Sequence, residues 1–140
     1  MKLSLHLGTL LCAALAWSSS AAAVGDNEAL DKRAPTYYCG SGNVPSSGDC
    51  DTLYNNILSG ATFANLETAD PRSLRHQGCF VSWSDNVVGN ARDLLPYIRT
   101  LKDECVKKKK QSGIVKDVHL QDQAKGTAIC VSNRGTNCHN

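Results

Sequence analysis

Apolar positions recur at helical spacing in two stretches of this chain, and short β-prone runs surround both. Cys50, Leu53, Tyr54, Ile57 and Leu58 fall at i, i+3, i+4, i+7 and i+8, the stripe of one helix face. Asp49 and Asp51 lie in its first turn, where the helix dipole favours negative charge, and Gly60 stops it. Leu94, Ile98, Leu101 and Cys105 form a second stripe. With Asp93 as N-cap, Pro96 sits in the first turn, where its missing N–H costs nothing. This helix continues through Lys107, Lys108, Lys109 and Lys110, and Ser112-Gly113 breaks it.

Strands are predicted over residues 36–39, 78–83, 114–120 and 127–133, with Asp85-Asn86 closing the second and a polar loop, 121–126, joining the last two as a hairpin. Residues 61–77 carry no period; Asp70-Pro71 marks a turn there, followed by a basic cluster of Arg72, Arg75 and His76. The order β-α-β-α-β-β predicts the α+β class: a two-layer α/β sandwich in which an antiparallel sheet carries two helices on one face. The tail from Asn133 to Cys138 reads as turns pinned by its last cysteine.

The first 33 residues follow other rules. Lys2, an apolar core ending at Trp17 and the small residues Ala21-Ala22-Ala23 make a secretory leader over 1–23. Ser18-Ser19-Ser20 interrupts the apolar run well before the roughly 20 residues a membrane span needs. Residues 24–33 are short and acidic and end in the pair Lys32-Arg33, the form of a site cut by a kexin-type protease. The expected product is a mature cysteine-rich domain, 34–140, secreted and extracellular. The full chain has a formal net charge of +2. Processing leaves that unchanged, since it removes Lys2, Lys32 and Arg33 along with Asp26, Glu28 and Asp31. No global field draws such a domain to nucleic acid or anionic lipid, so neither nucleic-acid binding nor stable membrane insertion is expected.

Six cysteines remain after the leader and its Cys12 are removed: Cys39, Cys50, Cys79, Cys105, Cys130 and Cys138. An even number on an oxidising route implies three bridges, whose connectivity the spacing does not resolve. No Cys-x-x-Cys pair and no histidine spacing suits a metal, so neither metal nor cofactor is expected. The lysines at 107–110 are candidates for contact with an anionic surface. Cations at a helix C-terminus also complement its dipole and keep a surface soluble.

Catalytic motifs are sparse. There is no Gly-x-Ser-x-Gly elbow, His-Glu-x-x-His helix or phosphate loop, and full oxidation of the cysteines removes a thiolate nucleophile. The opening Tyr37-Tyr38-Cys39-Gly40-Ser41 resembles the start of the small guanine-specific fungal ribonucleases. That resemblance implies acid-base work by Glu67 or Glu104 with His76 or His119, and an arginine at Arg134. The Tyr-Pro-His and Glu-Gly-Phe segments of those enzymes are absent. A binding protein, not an enzyme, is the expectation.

A broader resemblance covers Cys39-Gly40, Asp49-Cys50 with Leu53 and Ile57, and Gly78-Cys79-Phe80 with Trp83. This run is similar to the necrosis-inducing module of secreted fungal effectors. The element order resembles the α/β sandwich of virus-encoded smut killer toxins. Either resemblance implies a small exported virulence or toxin-like protein whose partner is a host or competitor-cell protein, or a second secreted protein.

Overall fold

The computed structural model describes residues 33–84, 87–121, 123–135 and 138. The leader, Lys32 with the rest of the segment before Arg33, and the Asp85-Asn86 turn lie outside the described residues. Along the chain run β1 (Thr36–Gly40), α1 (Ser47–Ser59), β2 (Ser73–His76), β3 (Cys79–Trp83), a 3-10 turn (Ala91–Leu94), α2 (Leu95–Leu101), π-helical turns (Lys102–Lys109), β4 (Ser112–Val118) and β5 (Thr127–Ser132). The strands form one antiparallel sheet in the order β1-β4-β5-β3-β2. The fold is the expected disulfide-stabilised α+β sandwich, with an extra edge strand. That strand, β2, comes from the stretch where no period is visible. Only Leu74 of its four residues is buried, too little signal for an alternation to show.

Local chemistry sets the helix ends. Ser46 is the N-cap of α1, its Oγ accepting from the Asp49 N–H, and Gly60 closes the helix at φ 83 with its N–H on the Ile57 carbonyl. Cys50, Leu53 and Ile57 are buried as the stripe predicts, whereas Leu58 is 54% exposed. The second helix starts earlier than Asp93. Asn90 caps a preceding 3-10 turn, with its Oδ1 accepting from the Arg92 N–H at 2.9 Å and its own N–H donating to Asp93 Oδ2 at 2.8 Å. Asp93 is thus the return arm of a capping box. The helix also ends before Ser112-Gly113, at Lys110, whose φ of 56 is left-handed. Ser112 and Gly113 belong to β4, and Gly113 is small for a reason: a Cβ there would lie 2.9 Å from Leu101 Cδ2 and 3.1 Å from Cys105 Sγ. Close approach of helix to sheet excludes a side chain.

Alternation divides the sheet into two faces. Leu74, Cys79, Val81, Val115, Ile129 and Val131 join the helix residues Leu53, Ile57, Leu94, Ile98 and Leu101 in the main core. The outer face carries the cross-strand row Tyr38, Ile114, Cys130, Ser82 and Ser73. Part of it is covered by the tail. Cys138 is bonded to Cys130, the Asn133 N–H donates to the Asn43 carbonyl at 2.9 Å, and Gly135 packs so tightly on Phe80 that a Cβ would lie 3.0 Å from its ring. The other two bridges, Cys39–Cys105 and Cys50–Cys79, tie the sheet to the helical layer. Their Cα separations of 5.3 and 5.1 Å are ordinary for disulfides.

Candidate binding surfaces

The π-helical turns reorganise the lysine cluster. Their hydrogen bonds span i to i+5, so residues five apart stack on one side. Lys102 and Lys107 therefore reach the same oxygen, Asp51 Oδ1, at 2.6 and 2.8 Å. Asp51 projects from α1, so this double ion pair joins the two helical segments. Lys102 is only 7% exposed; its ammonium also lies 3.2 Å from Asp103 Oδ1 and 5.1 Å from the centre of the Tyr54 ring. Burial alone would push the Asp51 carboxyl up, but the hydrogen bonds and charges of Lys102 and Lys107 outweigh it and hold the carboxyl below its ordinary value. The Lys102 ammonium is held above its ordinary value, because Asp51 and Asp103 overcome the opposing effect of burial.

Of the four lysines expected as a surface contact, two are engaged within the domain. Lys107 is engaged with Asp51 and Lys108 with Glu104 Oε1 at 2.6 Å. Lys109 and Lys110 are exposed, and neither forms an ion pair among the described residues. Screened by their partners, the first two lysines serve mainly to fasten the helix.

The acid-base candidates are dispersed over separate elements. Glu67 lies between α1 and β2, His76 ends β2, Glu104 is paired with Lys108 in the π turns, and Arg134 stands in the tail. His119 follows β4, with Nδ1 2.9 Å from the Gln123 carbonyl. Among the described residues no hydrogen bond or ion pair joins any two of the five. Nor does any group of three or more His, Cys, Asp or Glu side chains form a metal-binding cluster among them.

Two concave surfaces have more definite form. On the outer sheet face, a pocket of about 360 Å³ is lined by Tyr38, Gly40, Asn43, Ser112, Ile114 and Cys130, among others, and none of the described residues lining it is charged. It adjoins the free edge of β1, where Tyr37 and Tyr38 are 40% and 52% exposed. Tyr37 also faces Tyr97, whose phenol burial and Tyr37 together push up. Sequence reasoning placed Tyr37 and Tyr38 in a strand but did not mark them as a surface; two adjacent tyrosines on the N-terminal strand were the available signal. The second pocket, of about 400 Å³, lies on the opposite layer where the end of α1 meets the Asn90 cap.

These features define a small disulfide-bonded α+β domain of a kind typical of extracellular proteins, with open concave surfaces and no helix, among the described residues, long and apolar enough to cross a membrane. A model of the fungal family described as Fungal WD-like matches residues 13–138, and the chain belongs to that family. Its described residues form one five-stranded sheet, not the repeated four-stranded blades of a propeller. No curated protein and no solved structure matches the chain.

Proposed function

We propose that this protein is a secreted fungal virulence effector that acts by binding in or on host tissue, not by catalysis. The observation carrying this reading is the exposed edge strand β1, where Tyr38 lines an uncharged pocket on the outer face and Tyr37 stands exposed on the helix side of the same strand. Tyrosine supplies a large amphipathic contact area and is enriched at binding hot spots. A free edge also offers backbone hydrogen bonds to an extended partner segment. The leader, the dibasic site and the family's fungal distribution support export to another cell's surroundings. The partner is a host protein that accepts this face.

The test is infiltration of purified 34–140 protein into plant tissue, beside growth assays on yeast and bacteria and an RNA-hydrolysis assay. Tissue damage or altered defence should result from wild type, persist in Tyr38→Phe and be lost in Tyr37→Ser/Tyr38→Ser at unchanged folding. The pair His76→Ala/His119→Ala should retain activity. Growth inhibition of microbes without any plant response would favour a killer-toxin-like antimicrobial role. RNA cleavage lost in the histidine pair, by the roughly 10²–10⁴-fold typical of acid-base groups, would replace binding with hydrolysis.

A further inference from the structure

The pocket at the end of α1 has a lining unlike that of the outer face. Its floor is apolar, formed by Ile57 and Ala91, which are 0% and 1% exposed, and one wall is Phe63, 73% exposed. Gly60, Thr62, Asn90 and Arg92 complete it. Three short segments meet there: the last turn of α1, the connection after it and the capped 3-10 turn.

Arg92 gives this pocket its chemistry. Its guanidinium lies against Gly60, so close that a Cβ at Gly60 would fall 3.1 Å from Arg92 Nη2. Among the described residues it has no ion pair or side-chain hydrogen bond, and none of those lining the pocket carries a carboxylate. Asp93, next along the chain, is already committed to the Asn90 N–H and to Gln121 Nε2. The site thus combines a free planar fork of donors, suited to a carboxylate, with an exposed aromatic ring and an apolar floor. Its volume of about 400 Å³ is within the range of about 300–1,000 Å³ usual for ligand pockets.

We propose that this pocket binds a small organic acid, with the carboxylate on Arg92 and an aromatic or short aliphatic body between Phe63 and the Ile57–Ala91 floor. A neutral body lacking the carboxylate leaves the guanidinium's donors to water, and acetate leaves the apolar wall exposed. Both halves of the ligand are required. The site lies away from the tyrosine face and does not depend on that face's role.

The experiment is an NMR titration of isotope-labelled 34–140 protein with phenylacetate, indole-3-acetate and octanoate, with phenylacetamide and acetate as controls. At least one of the three acids should shift the amides of Gly60, Phe63 and Arg92 saturably, and phenylacetamide should bind about tenfold or more weakly than phenylacetate, as expected when a charged hydrogen-bond partner is removed. Arg92→Gln and Phe63→Ala should each weaken binding by a similar factor without lowering the melting temperature, since both side chains are exposed. Absence of saturable shifts with all three acids, equal affinity for phenylacetamide, or binding unchanged in Arg92→Gln would overturn the proposal.

Discussion

Asp51 carries more of the structure than its partly exposed position implies, because one of its oxygens holds two ammonium groups from another element. Asp51→Asn keeps the shape but leaves Lys102 buried with Asp103 as its remaining acidic partner. A fully buried pair broken in this way costs about 3–5 kcal/mol. With Asp51 open to water, screening brings the expected loss nearer 1 kcal/mol. The pH dependence has a definite sign. A carboxyl whose folded pKa is depressed contributes stability above its unfolded value of about 3.9 and loses it as pH falls through the folded value. Urea denaturation should therefore separate wild type from Asp51→Asn at neutral pH and bring them together in acid. A constant difference through the acid range would reject the ion pair as the cause. None of this was legible in the sequence, where Lys102 counts as a polar position on a helix surface. Burial of its stem beside Tyr54, with the charge answered from α1, depends on contacts between residues far apart in the chain.

At the level of elements, residues with a strong local signal were placed well. The stripe and glycine stop of α1, and strands β1, β3 and β5, appear within a residue or two of expectation because apolar spacing and turn chemistry act locally. Three features escaped. β2 contributes one core residue, the Asn90 cap lies a turn upstream of Asp93, and the π turns bury Val106 and Lys102 beside Cys105, neither of which the stripe Leu94, Ile98, Leu101 and Cys105 included. The pockets escaped entirely, since Ile57, Phe63 and Arg92 meet only in the folded chain. The disulfides differ in reach, with sequence separations of 66, 29 and 8 residues. In the chain-entropy account these correspond to about 4.4, 3.6 and 2.5 kcal/mol. Replacing the pairs by alanine in turn should thus destabilise in the order Cys39/Cys105, Cys50/Cys79, Cys130/Cys138, as read by urea midpoints. A variant lacking Cys130 and Cys138 that proves the least stable would show that the tail's packing on Phe80 outweighs the loop entropy.

For the whole molecule, the expected processing site and the lysine run would make contrasting substrates. Arg33, Ala34 and Pro35 are exposed and precede β1, whereas Lys107 and Lys108 are wound into the π turns and paired with acids. Secreted material should begin at Ala34 and have the intact mass of 34–140 with three disulfides, without a cut among residues 107–110. N-terminal sequencing and non-reducing mass spectrometry read both. A chain starting at Val24, or one nicked within the lysine run, would contradict this assignment. The nested bridges have a further consequence during synthesis. In an exported chain the first of these six cysteines to emerge is Cys39, yet its native partner Cys105 arrives only after Cys50 and Cys79 have appeared. Pairing by order of arrival would trap Cys39 on Cys50 and leave the N-terminal strand detached from the sheet. Export of the chain would therefore be expected to favour bond reshuffling, with a yield that rises with the isomerase capacity of the cell that makes it.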